Sequence, residues 1–591
     1  MGKLAAWIDE RTAWRTGARS WIDHPVIGGA PWASALCTSV VACFGVLALT
    51  GVLLMTAYAP SPQSAWASVF YVEYVLSRGW IIRGLHYWAA QSLFVLAALH
   101  IAHGAIASSY RKPREVAWWL TLAVLGLAVA EGITGGLLPW DQRGWWARVV
   151  EGNIVGLAPG LGGWLQAMLL GGSELGALGL TRMHALHVAV LPLLFAVLLL
   201  ARRSIVKRHG WTAGGTEVPH GRELARSTVV AAVVVVALFA LTGWAHGAPL
   251  ESPADPLSDY PARPEWFLMP LYELRKVFSH GPAAEFMGTS LVPAAVAGYF
   301  ALLPWVDRAG RPRALTVFAP LFAVAIGAAA LAGVAWNKDA HDRQYLKSRA
   351  DADRVAAAAV QLAMQGVAPA GALDMVRNDP ELRGRSLFVA HCASCHVLGD
   401  LGDPKKATAS KLDHWGTTEW IAAMIHDPDA PEFFGLGPYN TKMPSVDVRP
   451  KDKPAGEPWT PMVKSDAEKA AVAAFLASQG DEPGDPPRAT DAATLAQGEK
   501  IVSDRCTTCH LYKGDGDLES SGIAPELAHY GSIAWTRSQV ANPSTDQTYR
   551  DQALDPAMKK HMPRFDKDLS AADVDIVARW TRAHGRGQTL P

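Results

Sequence analysis

Arg83-Gly-Leu-His-Tyr-Trp-Ala-Ala-Gln-Ser-Leu-Phe-Val-Leu-Ala-Ala-Leu-His-Ile-Ala-His103 is the stretch on which the reading of this chain turns. It lies within an apolar run from about Trp80 to Ala107, long enough to cross a bilayer as one helix. His86 and His100 stand 14 residues apart on it. That is about 3.9 turns, so both rings leave one face, roughly 21 Å apart along the axis. A membrane helix rarely places two imidazoles on one face without a use for them. Axial ligation of two stacked haems, one near each membrane surface, is that use.

The chain outside this stretch divides into a membrane half and a water-soluble half. Its 591 residues are 50% hydrophobic and 18% charged, a mixture too apolar for one class and too charged for the other. The formal net charge is zero, which excludes the electrostatic footprint of a nucleic-acid binder. Seven apolar segments suit membrane spans, at roughly 33–57, 80–107, 116–138, 181–206, 227–246, 286–306 and 315–336. Leu4 to Trp21 reads as an amphipathic helix on the membrane surface, with tryptophans among arginines. Arginines and lysines gather near 11–19, 111–114, 202–208 and 308–313, which puts those loops and the N-terminus in the cytoplasm. Seven crossings then place everything after Trp336 on the outer face.

The six cysteines carry the second signal. Four form Cys392-Ala-Ser-Cys395-His396 and Cys506-Thr-Thr-Cys509-His510, the attachment sequence of c-type haem. The two motifs belong to an internal repeat of about 114 residues. Each copy has a helical lead-in, a loop-rich middle with a Met-Pro pair, and a closing helix that begins at Ser465 or Ser570. A thioether is the expected second ligand, with Met443 following His396 and Met562 following His510. Met424, Met462 and Met558 are competitors. In the membrane half, Glu265 lies in Pro264-Glu-Trp-Phe267, a proline-framed aromatic loop that suits proton acceptance from a bound hydroquinone.

The paired-histidine helix, Pro139-Trp140-Asp141-Gln142, Thr181-Arg182 before His187, and Pro264-Glu265-Trp266-Phe267 together resemble the cytochrome b of bc-type quinol-oxidising complexes. The similarity covers about residues 1–337 and is closer to the chloroplast and cyanobacterial type, whose b subunit and three-helix subunit would here be one chain. Phe267 departs from the family, which has Tyr there. The resemblance implies that His86 and His187 ligate an outer b haem, that Arg83 and Arg182 pair with its propionates, and that Gly51 and Gly135 give it room. It also implies a catalytic role for Glu265 and Trp266 at an outer quinol site. At the inner site the family's second histidine is replaced by Arg202, and Cys37 and Thr121 stand where glycines belong. His100 is therefore left without its partner, and the inner b haem is expected to be missing or abnormally ligated.

The expected architecture is all-α, with seven transmembrane helices followed by two cytochrome c-like helical domains. Residues 1–32 form a surface helix and lead-in, 33–210 a four-helix haem bundle, and 211–337 a three-helix quinol-site domain. Residues 338–380 form a helical connector, with cytochrome c domains at 381–481 and 482–591. The expected cofactors are one b haem and two covalent c haems. Expected partners are a Rieske iron–sulfur protein, membrane quinol, a soluble or membrane-bound cytochrome acceptor, the lipid bilayer and a second copy of the complex. The expected location is the bacterial inner membrane, with the c domains periplasmic. The alternative is a non-catalytic, membrane-anchored conduit for another dehydrogenase. A conduit has no use for the Pro-Glu-Trp loop.

Overall fold

The structure, a computed structural model, describes residues 3–13, 22–23, 25–27, 31–211, 217–308, 310–433, 443–449, 458–487, 489–516, 524–545, 548 and 562–590. The chain is mostly helical and divides into two compact units, residues 1–376 and 377–591. Among the described residues the only sheet is a two-stranded antiparallel ribbon pairing Pro25–Ile27 with Glu217–Pro219.

A short helix, α1 (Lys3–Thr12), opens the chain. The predicted surface helix runs on to Trp21, but 14–21 lie outside the described residues. Among the described residues, six helices are long and apolar enough to cross a membrane. They are α2 (Pro31–Met55), α3 (Gly79–Ile106), α4 (Glu115–Leu137), α5 (Ala177–His209), α6 (His220–Ala245) and α7 (Ala314–His341). Seven spans were expected. The segment missing from the six, predicted at 286–306, forms consecutive helical pieces from Pro282 to Ala301. Glu285, Gly288, Thr289, Ser290 and Pro293 dilute its apolar character, which explains why it falls short.

In the bundle, α3 packs on α2, α4 and α6, and α5 packs on α4. Its core includes Val40, Cys43, Ala89, Leu93, Val124 and Phe195. The connector is helical, as α8 (Arg343–Gln365), but it is not a free spacer. Its Ala359 and Ala363 pack with Trp66, Phe70 and Leu250, and Arg349 pairs with Glu251 at 2.8 Å. A small-residue face on an amphipathic helix permits this close approach to the loops that carry Trp66 and Leu250.

The second unit contains both cysteine motifs. Its helices are α9 (Pro380–His391), α10 (Thr418–His426), α11 (Asp466–Ser478), α12 (Ala492–Ile501), α13 (Ile533–Ala541) and α14 (Ala571–Gly585). Ser465 and Ser570 cap α11 and α14, each accepting from the backbone N–H three residues on. The lead-in helix of each copy packs on the closing helix of the other. Thus α9 lies on α14 and α12 lies on α11. The close crossings use glycine: a Cβ on Gly384 would stand 2.4 Å from Trp580, and one on Gly498 would stand 2.6 Å from the Phe475 Cβ.

Candidate haem and quinol sites

Four membrane helices contribute one residue each to the outer site: Gly51 from α2, His86 from α3, Gly135 from α4 and His187 from α5. The His86 and His187 rings have centroids 6.1 Å apart. Two metal–imidazole bonds of about 2 Å each, with half of each ring added, span this order of distance. Both rings are oriented through Nδ1. Thr50 Oγ1 donates to the Val46 carbonyl at 2.6 Å and lies 2.9 Å from His86 Nδ1, so it is placed to accept that N–H. His187 Nδ1 lies 2.8 Å from Glu131 Oε2 and 3.2 Å from Thr134 Oγ1. Each Nε2 is then the nitrogen left for a metal, the arrangement by which outer partners set a ligand's tautomer. These residues fit one axially ligated haem.

The glycines serve the histidines themselves. A Cβ on Gly51 would lie 3.3 Å from His86 Cε1, and one on Gly135 would lie 2.6 Å from His187 Cε1. Nothing lies within 4 Å of a Cβ on the next residue, Gly136. Gly135→Ala is accordingly expected to remove the b-haem absorption band from the purified chain while Gly136→Ala keeps it. A retained band in Gly135→Ala would show that His187 has room to move. Thr50-Gly51 and Thr134-Gly135 repeat one dipeptide on two helices, and this repeat is the sequence signal for the ring partners.

The two arginines expected at the propionates are engaged elsewhere. Arg83 pairs with buried Glu73 at 2.8 Å and donates to the carbonyls of Ala248 and Pro249. Arg182 donates to the Met168 carbonyl at 3.2 Å. Arg83 thus helps to hold the loop after α6.

The inner positions lie 14 residues from the outer ones on α2, α3 and α4, and 15 on α5. Here Arg202 takes the centre. Its guanidinium donates to His100 Nε2 at 2.7 Å, to Thr121 Oγ1 at 2.8 Å and to Cys37 Sγ at 3.2 Å, and lies 5.0 Å from the Trp211 ring. The nitrogen of His100 that would face a metal is occupied, and its buried Nδ1 has no hydrogen-bond partner among the described residues. These residues do not fit a second haem.

Trp266 and Phe267 lie against the middle of α3. Trp266 Nε1 donates to Gln91 Oε1 at 2.6 Å, and Phe267 stacks on Phe94 with centroids 4.5 Å apart. The Pro139–Gln142 segment is pinned to the loop after α6. Asp141 caps the helix Gln142–Gly156 by accepting from Gly144 N–H, and accepts from Glu251 N–H at 3.2 Å. Arg143 pairs with Glu251 at 3.2 Å. Burial pushes the half-buried Glu265 carboxyl above the ordinary value; Arg143 opposes this and Asp141 adds to it. A half-buried carboxylate with a raised pKa beside one guanidinium is suited to taking up a proton.

In the soluble unit, His396 Nδ1 lies 2.8 Å from the Ser410 carbonyl, and His510 Nδ1 lies 2.8 Å from the Pro525 carbonyl. Donation there leaves each Nε2 available, and burial holds both imidazoles below their ordinary pKa. Cys392, Cys395, Cys506 and Cys509 are free thiols. Both motifs therefore fit covalent haem. The methionines do not sit where the sequence order suggested. Met562 packs in the cluster with Cys392, and Met443 packs in the cluster with Cys506, as do Met424 and Met462. Each repeat's closing segment packs in the core around the other repeat's motif. Met558 lies outside the described residues.

The family pattern described as "Cytochrome b/b6/petB" matches residues 30–210. "Cytochrome c" matches 382–480, and "Cytochrome C oxidase, cbb3-type, subunit III" matches 493–580. Cytochrome b6 of Chlamydomonas reinhardtii is 35% identical over 168 residues, which are 28% of this chain and 78% of that protein. A cytochrome bc complex cytochrome b subunit of Chlorobaculum thiosulfatiphilum is 30% identical over 286 residues, 45% of this chain and 64% of that one. Among solved structures, a chain of a hyperthermophilic respiratory Complex III matches with a TM-score of 0.49 and 24% identity, over 56% of this chain and 90% of that one. The chain belongs to the cytochrome b/b6 family, with cytochrome c domains fused behind its membrane unit. It is a haem-binding electron-transport protein, with b haem in the bundle and covalent c haem at the two motifs.

Proposed function

We propose that the chain is the catalytic cytochrome b subunit of a bc-type complex that oxidises membrane quinol at the outer face. The observation that carries this reading is the segment Glu265–Phe267: Trp266 and Phe267 lie against α3, and the adjoining half-buried Glu265 has a raised pKa that Arg143 opposes. Trp266, Phe267 and Phe94 form an aromatic wall suited to a quinol ring. Glu265 accepts one hydroxyl proton, and Arg143 holds the resulting charge balance while anchored to Glu251. When bound, the b haem at His86 and His187 and the c haems supply one-electron acceptors. With four of its six cysteines committed to haem attachment and two on α2, the chain has no paired Cys and His set for a two-iron cluster. A Rieske iron–sulfur protein is accordingly proposed as its partner, with a periplasmic cytochrome as the onward acceptor and a second copy completing a homodimer.

The same reading places the N-terminus and the basic loops in the cytoplasm of a bacterial inner membrane. The helical run Pro282–Ala301 then serves as a seventh crossing, which puts the c unit in the periplasm. The test is affinity purification of the tagged chain from its native membrane, followed by addition of quinol. Rapid c-haem reduction is expected, together with a co-purified two-iron cluster visible by low-temperature EPR. A preparation whose c haems are reduced only through some other dehydrogenase's substrate would overturn the proposal in favour of a conduit.

A further inference from the structure

The two c sites are not two independent domains in series. We infer that the repeats have exchanged their distal halves, so that the haem attached at Cys392 and Cys395 takes His396 and Met562, and the haem attached at Cys506 and Cys509 takes His510 and Met443. Each site is then built from both repeats.

Three observations agree with this. The first is helix pairing: α9 lies on α14, held by Arg383 with Asp573 and by Trp580 Nε1 donating to Glu381 at 3.1 Å. The reciprocal pair, α12 on α11, is tied by Arg505 to Glu468 at 2.8 Å. The second is the core around each motif, which contains the other repeat's Met-Pro methionine. The third is a matched pair of bends where the halves part. His414-Trp415-Gly416 and His529-Tyr530-Gly531 lie 115 residues apart. Both histidines have φ of 59°, and the glycines have φ of 75° and 76°. A left-handed backbone is uncommon for any residue with a Cβ, so its occurrence at equivalent positions marks a shared structural demand.

The bends also meet each other. The Trp415 and Tyr530 rings are 6.1 Å apart, and Arg586 approaches both Gly416 and Gly531. Exchange of identical elements about paired hinges is a low-cost rearrangement between similar folds. Within one chain the Pro-rich joint after α11, Glu482-Pro-Gly-Asp-Pro-Pro487, is short, which favours packing α12 directly back onto α11. The consequence is one rigid dihaem body rather than two separately mobile carriers. This inference concerns haem ligation alone and stands or falls apart from the quinol reading.

The test uses the full-length chain with one attachment site removed, read by the weak sulfur-to-iron charge-transfer band of the oxidised protein. With Cys506→Ala and Cys509→Ala, only the first c haem remains. Met562→Ala is then expected to abolish the band and Met443→Ala to keep it. In the reciprocal background, Cys392→Ala with Cys395→Ala, the Met562→Ala change is expected to keep the band. Loss of the first haem's band on Met443→Ala, or of the second's on Met562→Ala, would overturn the exchange. A second measurement covers backgrounds that fail to mature. A protease site inserted after Pro487 in the otherwise unaltered chain is cut in the membrane-bound holoprotein. The C-terminal fragment is expected to stay bound through a high-salt wash, because apolar cores hold it; its release as a free cytochrome would overturn the exchange.

Discussion

Glu265→Gln is expected to lower quinol oxidation by the assembled complex about 10²-fold, the lower end of what a lost general base costs. The amide keeps the size and burial of the side chain and removes only its ability to take a proton, so all haem bands should remain. Turnover at the wild-type rate would remove Glu265 from the mechanism. The pH dependence gives a second reading of the same group. Glu265 must be ionised to accept a proton, and burial raises its pKa, so the rate should fall on acidification at a higher pH than an ordinary glutamate would dictate. The neighbours that bear on it are Arg143, Asp141, Glu151 and Tyr87. Arg143 is the one that lowers its pKa, so Arg143→Met should move the acid limb of kcat/KM to still higher pH. An acid limb that stays in place would mean that Arg143 does not act on the base.

The purified chain is expected to contain one b haem for every two c haems, measured by redox-difference spectra of the separate b and c bands. The reason is the guanidinium of Arg202, which occupies His100 Nε2 and bridges Thr121 and Cys37 across the inner site. Substituting the ligand alone should not restore the site. In Arg202→His, the side chains of Cys37 and Thr121 still fill the positions that correspond to Gly51 and Gly135, so the ratio is expected to stay at one to two. The triple change Cys37→Gly, Thr121→Gly and Arg202→His should raise it toward two to two. Two b haems, both bis-histidine by low-temperature spectroscopy, in the unaltered chain would refute the assignment.

Much of the site was legible in the sequence because its chemistry depends on residue type at fixed helical spacing. Fourteen residues return a side chain to the same face of a helix, which pairs His86 with His100, while the resemblance to cytochrome b pairs Gly51 with Cys37 and Gly135 with Thr121. The attachment cysteines were equally plain, because thioether bonds and a proximal imidazole demand one local pattern. The segment Pro282–Ala301 was harder to rank, because its glycine, proline and polar residues leave it helical without making it clearly apolar. Local patterns also do not report which segment closes over which site. Nothing local to Arg83 announces its contacts with buried Glu73, ten residues away, and with two carbonyls of a distant loop. The methionines show the same limit more sharply. The two repeats have similar cores, so Met443 or Met562 could serve either motif as far as sequence goes. Only the packing of α9 on α14 and α12 on α11, through bends at His414 and His529, decides that each methionine lies with the other repeat's cysteines.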